Sequence, residues 1–502
     1  MHARLAAASI LALAFAGIAR AADPIVLWVT NNGNFGPGSF ADALSRLQPI
    51  ATPQEIRFAY SGTLPIYLNG PVAPIVGGDV RIDGADMPGK VVIDGAGWTQ
   101  ATVAADSGTV KLTIANLTLR HGGQIGKGGC VSVMNPSTVT RLDHATFIEC
   151  KAFVDATHAA RGGAVYAAGR LAVVDSVFER NEVLTVGTSA ETADAYGGAL
   201  SSEGAHEVSI ARSTFRDNRV YLSNSLPSSC SSGVGGAVHL FLPGANSVGS
   251  IVDSTFTGNR TACRRPGTNN DIDGAGDGGA ASLNSDAGTF NVERNFFEGN
   301  TSLRGGALSF INIGQTRANI LNNTFHANRG IASGGGVGFV NCCQARMVNN
   351  TFSGNRSGID GFANPYGGAF TINVGSLELV NNIVDNRSAD SPGCSYTWGQ
   401  VTSSHNLYSD AACPLPDPDP TSLVTGPMDW LGAPANLGQY VLVMPPAYGA
   451  PAIDGGDDAR CTGYDARGVP RPLDGDGDGE AHCDVGALES SYVDRLFRDG
   501  FD

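Results

Sequence analysis

Short apolar runs alternate with glycine, asparagine and aspartate through the middle of this chain. After successive Gly-Gly pairs the residues alternate with a period of two, which is the period of a β-strand. One phase is mostly apolar and the other mostly polar: Val165, Leu200, Val238, Ala281, Leu308 and Phe370 against Tyr166, Ser201, His239, Ser282, Ser309 and Thr371. We therefore predict strands whose first set of residues faces a core and whose second set faces outward.

A longer unit repeats in tandem around a recurrent phenylalanine. Its copies are spaced by 27 to 41 residues, at Phe147, Phe178, Phe215, Phe256, Phe297, Phe325 and Phe352. A Gly-Gly pair precedes each copy, and six copies carry an asparagine three residues later, at Asn181, Asn218, Asn259, Asn300, Asn328 and Asn355. Such units stack because none can bury its apolar face alone. We predict an all-β solenoid of about a dozen coils, with stacked phenylalanines and asparagines bonded to their own copies.

The position three residues before the phenylalanine alternates in charge. It reads His144, Asp175, Arg212, Asp253, Arg294, Asn322 and Asn349. If the coils stack in register, acid faces base at successive steps, and an amide ladder follows. We predict a structural ion-pair ladder at Asp175, Arg212, Asp253 and Arg294, continued by Asn322 and Asn349.

Composition and charge narrow the possible roles of the 502-residue chain. Its 67 glycines and 16% charged residues are typical of an ordered, turn-rich protein. The formal net charge of −15 disfavours nucleic acid as a partner, because phosphate binding needs clustered cations. A basic start, an apolar run and Ala-Arg-Ala within the first 22 residues predict a secretory signal, and no segment predicts a membrane span. We expect a secreted or cell-surface protein.

Ten cysteines in an exported chain indicate disulfide bonds. Proximity suggests Cys130 with Cys150, Cys230 with Cys263, Cys394 with Cys413 and Cys461 with Cys483, which leaves the adjacent Cys342 and Cys343. Spacing alone does not decide connectivity. In the first repeat Cys130 replaces the alanine of GGA and Cys150 replaces the asparagine, so both lie in one coil.

The tandem GGA and FxxN motifs of residues 128–386 resemble the repeat of polymorphic outer-membrane proteins. More broadly, they resemble pectate-lyase-like β-helices, and this resemblance implies a right-handed parallel β-helix. Upstream, GPGSFADAL (36–44), VRIDGA and VVIDGAG are similar to the N-terminal cap and first coils of bacterial extracellular β-helix proteins. This similarity implies a capping helix after Phe40.

The C-terminal part resembles the choice-of-anchor Q domain, a module of secreted β-helix proteins with varied surface anchors. The resemblance rests on NLYSD, GAPAIDGGDDARC, DARGVPRP and CDVGALE between residues 406 and 489. The expected division is a signal peptide (1–22), a cap with the first coils (23–127), the repeat β-helix (128–395), the C-terminal module (396–490) and a tail (491–502). That tail is either a sorting signal or a plain terminus.

Candidate chemistry is sparse along the chain. The loop at 268–279 carries Asp271, Asp273 and Asp277 and vaguely resembles the paired aspartates of pectin hydrolases, but a polar loop explains it as well. Asp474, Asp476 and Asp478 in DGDGDGE have the density of a calcium loop or of a solvated acidic turn. Calcium is the one cofactor that the sequence suggests, and histidines such as His121 and His239 lack ligand spacing.

We expect a non-enzymatic protein that presents loops for adhesion or for binding a glycan or a cell-surface component. The inserts before Gly197, Gly235 and Gly278 are the expected contact surface, because insertions in a solenoid collect on its faces. The main alternative is a polysaccharide lyase or glycoside hydrolase of the same fold, and a purely structural envelope component is a third possibility, since a fold does not decide an activity. An acidic cluster converging with an arginine on one sheet would favour that alternative.

Overall fold

The computed structural model is a stack of parallel coils. It describes residues 23–62, 65–97, 101–106, 108–154, 159–185, 194–222, 233–264, 271–273, 276–311, 315–358, 366–386, 391–410, 413, 415, 419–438 and 440–492. Strands pair in parallel with their counterparts in the next coil along three long sheets. The predicted fold class, an all-β parallel β-helix with a cap and a C-terminal module, is therefore confirmed. The predicted signal peptide lies outside the described residues.

Sheet 1 contains two strand rows, because a typical coil contributes two consecutive strands to it. The row after the glycine pairs, row 1a, comprises Val103–Ala105, Val131–Val133, Val165–Ala167, Leu200–Glu203, Val238–Leu242, Ala281–Ser285, Leu308–Ile311 and Val337–Val340. The second, row 1b, comprises Ile25–Val29, Gln54–Phe58, Gly78–Asp83, Thr109–Ala115, Val139–Asp143, Leu171–Val174, Glu207–Ala211, Val248–Val252, Thr289–Glu293, Arg317–Leu321 and Cys342–Val348. The long strands Phe370–Val380 and Cys394–Ser404 join both rows.

Sheet 2 carries the recurrent phenylalanines. Its strands are Ile66–Tyr67, Val91–Asp94, Leu117–Arg120, Thr146–Ile148, Val177–Glu179, Thr214–Arg216, Thr255–Thr257, Phe296–Glu298, Thr324–His326, Thr351–Ser353, Ile383–Asp385, Leu407–Tyr408 and Leu423–Val424. The stack thus continues past residue 395 as far as Val424.

Sheet 3 follows the recurrent asparagines. Its parallel strands are Gly123–Ile125, Lys151–Val154, Glu182–Thr185, Arg219–Leu222, Arg260–Arg264, Thr301–Arg304, Arg329–Ser333 and Arg356–Ser357, and Asp271–Asp273 pairs antiparallel to one of them. A small outer sheet comprises Ala160–Arg161, Ala195–Tyr196 and Gly233–Val234.

The phenylalanines form a continuous internal stack, as the repeat predicts. Their ring centroids are 4.6 to 5.1 Å apart from Phe147 to Phe352, and these rings are fully buried. Each ring contributes about 2 kcal/mol through burial. The recurrence of phenylalanine is therefore explained by contact between copies in successive coils.

The asparagines three residues later form a second ladder beside the phenylalanines. Asn218 Oδ1 accepts hydrogen bonds from the backbone N and the Nδ2 of Asn181, both at 2.9 Å, and Asn218 Nδ2 donates to Phe178 O at 3.0 Å. Later coils repeat this pattern, and a further ladder begins at Asn295, two residues before its phenylalanine. The amides satisfy backbone groups that the turns leave buried.

The glycine pair allows the chain to turn sharply onto row 1a. Gly162 has φ +67°, and a Cβ built there would lie 2.0 Å from Val165 O. A Cβ on Gly163 would lie 1.9 Å from the Gly198 O of the next coil. A side chain at either position would collide with backbone, so the sequence keeps both glycines.

This turn buries both faces of row 1a, which the alternation of apolar and polar residues does not predict. The phase expected to face outward is buried, with His239 and Thr371 only 3% and 5% exposed. The segment before the glycine pair covers it, since the Tyr196 ring lies 4.7 Å from the His239 ring and Arg161 lies over Tyr196. Burial, with a smaller contribution from the charge of Arg161, lowers the pKa of His239 to about 3.

The N-terminal end is covered by a short helix, Phe40–Ser45. Ser39 caps it by accepting a hydrogen bond from Asp42 N at 3.1 Å, a common role for serine at a helix start. Phe40 is fully buried and stacks on Phe58 of the underlying strand. The helix therefore protects the open end of the apolar core, as predicted. No described helix is long and apolar enough to cross a membrane.

The C-terminal module lies along one corner of the β-helix, between row 1b and sheet 2. The corner residues have φ near +50° and form a column that we call the turn column: His144, Asp175, Arg212, Asp253, Arg294, Asn322, Asn349 and Asn381. Asn322 Nδ2 donates to Tyr464 O at 2.8 Å, and Asn349 Nδ2 donates to Asp484 O at 2.9 Å. A short 3₁₀ helix, Asp458–Arg460, lies in the same module.

We expect Asn259→Ala to lower the free energy of unfolding by about 3 kcal/mol, because it leaves buried backbone and amide groups of two coils without partners. Asn319→Ala is the matched control, since Asn319 donates to Asn291 in a partly buried pair, and about 0.5 kcal/mol is expected. Urea denaturation followed by circular dichroism measures both. Equal destabilisation would contradict the ladder.

Candidate functional site

Two adjoining cavities run along the corner between sheets 2 and 3, and we call them together the corner groove. The first, about 600 Å³, is lined by residues including Tyr67, Asp94, His121, Glu149 and Phe153. The second, about 480 Å³, shares Glu149 and Lys151 with the first and continues past Arg180, Glu182, Asp217 and Arg219 to Arg260. The groove therefore follows the long axis of the coil stack.

Asp94 lies at the base of the first cavity with its side chain only 5% exposed. It accepts hydrogen bonds from Ala96 N at 2.9 Å and Arg120 Nε at 2.7 Å, and its Oδ1 lies 3.1 Å from His121 Nδ1. Burial acts to raise the pKa of Asp94, but these hydrogen bonds and the cationic neighbours outweigh it and lower that pKa. Asp94 is therefore an ionised hydrogen-bond acceptor at neutral pH.

His121 lies between two carboxylates at the strand end that leads into the corner. Its Nδ1 faces Asp94, and its Nε2 lies 3.2 Å from Glu149 Oε2. A ring with one proton donates to only one of them at a time. Glu149 also accepts a hydrogen bond from Arg180 Nε at 2.9 Å, which lowers the pKa of the Glu149 carboxyl.

Further along the groove, the charge alternates from coil to coil through Lys151, Glu182 and Arg219, and the alternation ends where Arg260 follows Arg219. Glu182 accepts from Arg219 Nε at 2.7 Å and lies 3.5 Å from Lys151 Nζ. Glu179 pairs with Arg216 at 2.8 Å and also contacts Arg180. Glu182 is thus shared by cations of the two neighbouring coils, whereas Glu179, which lies beside the groove, is shared by a cation of the next coil and one of its own coil.

Sequence reasoning misses this groove, although the signal is present. The charged residues in and beside the groove lie at three positions after the recurrent phenylalanine, and at each position the sign of the charge alternates between coils. One position after it are Glu179 and Arg216, and two positions after it are Glu149, Arg180 and Asp217. Four positions after it are Lys151, Glu182 and Arg219. His121 and Asp94 precede the first recognisable repeat, so no alignment places them in these columns. Only the stacking of that early coil brings them beside Glu149.

The predicted ladder in the turn column is divided into separate pairs. Arg212 binds Asp175 through two hydrogen bonds of 2.8 Å, and Arg294 binds Asp253 at 2.7 and 3.1 Å. Among the described contacts, no ion pair links Arg212 to Asp253. A guanidinium that donates two hydrogen bonds to one carboxylate has no second pair of donors aligned for the carboxylate of the next coil. The chain of alternating ion pairs is therefore interrupted after each pair.

Asn322 and Asn349 do not form the amide ladder expected of them. Both donate to backbone carbonyls of the C-terminal module, and Thr462 Oγ1 donates to Asn322 Oδ1 at 3.0 Å. The amide ladder in these coils lies one residue further on, at Asn323 and Asn350. The turn column therefore attaches the module, a role that no local pattern indicates.

The structure joins Cys130 to Cys150, with an S–S distance of 2.04 Å, and also joins Cys461 to Cys483. Cys394 is joined to Cys413 and Cys342 to Cys343, while Cys263 is disulfide-bonded too. Its suggested partner Cys230 lies outside the described residues.

Of the aspartates in the loop at 268–279, Asp277 is the one whose side chain the structure describes. Asp277 is buried and binds Arg304 Nε and NH2 at 2.6 and 2.8 Å. That pair explains Asp277 structurally. The side chains of Asp271 and Asp273 lie outside the described residues, as does much of each long insert expected to form the contact surface.

The acidic run near the C-terminus is arranged differently from the predicted calcium loop. Asp474 and Asp476 come together with Asp454, with ligand oxygens within 4.8 Å of one another, whereas Asp478 is not in this group. Asp478 Oδ1 instead accepts a hydrogen bond from Glu480 N at 2.8 Å. A calcium site at Asp474, Asp476 and Asp478 stays a prediction.

Comparisons with known proteins leave the activity open. No protein-family model matches the chain, and no curated protein matches it. One solved structure with which it aligns is described as the crystal structure of pectate lyase Pel9A, with 13% identity over 94% of this chain and 97% of that chain and a TM-score of 0.37. We assign the parallel β-helix from the strand pairing itself.

The corner-groove carboxylates predict a specific pH dependence of stability. Because the pKa of Asp94 in the folded protein is below its ordinary value of 3.8, its contribution is complete above that value and is lost as pH falls through the lowered pKa. Asp94→Asn should therefore lower the melting temperature at pH 7, and this difference from wild type should shrink as the pH falls below 3.8.

Calorimetric melting between pH 7 and pH 2.5 measures this difference. Asp79→Asn is the control, because Asp79 is a more exposed aspartate that lies 3.5 Å from Lys111. A gap between Asp94→Asn and wild type that is constant over the whole pH range would contradict the assignment.

Proposed function

We propose that this protein binds a neutral or weakly charged glycan chain along the corner groove, without chemically altering it. The observation that carries the proposal is the groove itself, which runs along the coil axis and presents neutralised polar side chains at successive coils. From Tyr67 to Arg260 it spans seven coils, or about 30 Å at the spacing of β-strands. A linear polymer fits such a site better than a compact ligand does.

The charges of the groove favour a ligand rich in hydroxyl groups. The chain carries a net charge of −15, yet four carboxylates and four cations line the groove: Asp94, Glu149, Glu182 and Asp217 with Lys151, Arg180, Arg219 and Arg260. Hydroxyls both donate and accept hydrogen bonds, so they can bind beside such pairs without adding charge. A densely anionic polymer would compete with carboxylates that already hold these cations.

Aromatic side chains mark one end of the groove. The Tyr67 ring is 45% exposed, and Phe153 lines the same cavity. An exposed ring offers an apolar face with a polar edge, and the face of a sugar ring can pack against it. Tyr67 and Phe153 therefore supply the apolar part of the proposed site, beside the polar part formed around Asp94.

A polysaccharide lyase or glycoside hydrolase is the second candidate, because Asp94 and Glu149 do converge with Arg120 and Arg180. Hydrolysis of a glycosidic bond needs a carboxyl that stays protonated near neutral pH. The pKa of both Asp94 and Glu149 is lowered instead, which suits them to accept hydrogen bonds. We therefore rank binding above hydrolysis at this site.

We further infer that the protein acts outside the cell or on its surface, where it contributes to adhesion. The disulfide bonds support this, since such bonds persist in oxidising compartments. The identification of residues 406–489 as a choice-of-anchor Q module and of the repeats as the polymorphic outer-membrane-protein type rests on the quoted motifs and is part of the same proposal.

Binding is tested with soluble xylan, mannan and β-glucan and, as charged counterparts, pectate and alginate. We expect at least one neutral polymer to bind, and Tyr67→Ala to weaken its binding about tenfold through loss of ring packing. Isothermal titration calorimetry measures both. Tyr448→Ala is the matched control, because Tyr448 is an exposed tyrosine of the C-terminal module and does not line the groove.

The same incubations should be assayed for release of reducing ends, with and without calcium. Chain shortening would replace the binding proposal with the enzymatic one. Failure of every polymer to bind, or binding that Tyr67→Ala leaves unchanged, would reject the corner groove as the glycan site.

A further inference from the structure

A separate cavity of about 300 Å³ lies where the C-terminal module meets the turn column, and we call it the seam cavity. The β-helix contributes Asp253 and Arg294, and the module contributes Tyr440, Tyr464 and the turn at Arg467 and Gly468. The seam cavity is remote in the fold from the corner groove, which lies between sheets 2 and 3. It exists only because the module folds back along the coils.

Two tyrosines stand at opposite ends of the seam cavity. Tyr440 lies over the Arg212 guanidinium, which is 5.7 Å from the ring centroid. The backbone of Tyr464 is held by Asn322, three coils further along the turn column. At the spacing of neighbouring strands, those two anchor points are about 14 Å apart along the axis.

Both rings remain largely open, with Tyr440 65% and Tyr464 58% exposed. Two exposed aromatic residues that flank one small cavity form paired apolar faces with polar edges. The module backbone at Tyr464 is fixed by its hydrogen bond from Asn322 of the β-helix, so the Cα that carries this ring is positioned before any ligand arrives. Such preorganisation lowers the entropic cost of binding.

The polar side chains of the seam cavity are already paired. Asp253 holds Arg294 through two hydrogen bonds, and Asp465 Oδ2 accepts from Arg467 Nε at 2.8 Å. Asp253 thus lines the cavity with the guanidinium groups of Arg294 and Arg467, and the fully buried Asp465 neutralises Arg467. The Asp253 carboxylate keeps lone pairs beyond those used in its ion pair with Arg294, and these can accept hydrogen bonds from a ligand.

These features select the chemistry of the ligand. An anionic ligand would bind weakly, because Arg294 and Arg467 each already bind a carboxylate. An apolar ligand would bury the polar side chains of the cavity without forming hydrogen bonds to them. A sugar ring satisfies both parts, with its C–H faces against the tyrosines and its hydroxyls on the ion pairs. The volume lies at the lower end of the range of small-molecule sites, which limits the ligand to one or two sugar rings.

We propose that the seam cavity is a second carbohydrate site, which takes a neutral mono- or disaccharide unit between Tyr440 and Tyr464. The site does not depend on glycan binding by the corner groove. Under this proposal, the C-terminal module takes part in ligand recognition in addition to packing against the coils.

Saturation-transfer NMR and calorimetric titration with cellobiose, maltose, chitobiose and mannobiose test the proposal on the full chain, with galacturonate as a charged probe. We expect a neutral probe to bind. Tyr440→Ala and Tyr464→Ala should each reduce its affinity about tenfold, whereas Tyr464→Phe, which keeps the ring, should retain binding.

The controls separate this site from the corner groove. Tyr448→Ala replaces another exposed tyrosine of the module, and Tyr67→Ala removes the ring of the corner groove, so both should leave disaccharide binding unchanged. Melting temperatures of Tyr440→Ala and Tyr464→Ala show whether the module remains attached. Loss of binding in Tyr67→Ala alone, tighter binding of galacturonate, or no binding of any neutral probe to the wild-type chain would overturn the proposal.

Discussion

Each coil of this protein must lie in register on the coil before it, because the backbone hydrogen bonds of the strands run between coils. A residue therefore contacts its own counterparts about 4.8 Å above and below more regularly than it contacts any other residue. Stacked phenylalanines and bonded asparagines satisfy this constraint with identical side chains, since rings pack on rings and an amide donates and accepts at once.

The same constraint is unfavourable for charged side chains. Identical charges in successive coils would repel each other, and several charged columns alternate in sign, although Arg219 and Arg260 are register partners of like charge. The alternation has different outcomes at different corners. In the turn column it ends in isolated pairs such as Asp175 with Arg212. At the corner groove, Glu182 contacts cations from both neighbouring coils, and Glu149 contacts His121 on one side and Arg180 on the other. The wider sharing leaves a continuous polar surface along the axis.

The proposed sites follow from where the column pattern is interrupted. His121 and Asp94 belong to coils that precede the recognisable repeats, and they close one end of the corner groove beside Tyr67. Asn322 and Asn349 direct their amides to the C-terminal module, which creates the seam cavity next to Arg294. In both sites, residues at equivalent positions of successive repeats line one side of the cavity, and residues outside the repeats line the other side.

The sequence by itself determined the coil stack, its apolar and amide ladders and the alternating charges, because a tandem repeat directly records contacts between equivalent residues. It did not determine the exposure of row 1a, where Tyr196 and the glycine turn bury His239. Nor did it determine which partner Arg212 takes or what Asn322 binds. Those contacts join different columns or distant segments, and the shape of the coil and the path of the module decide them.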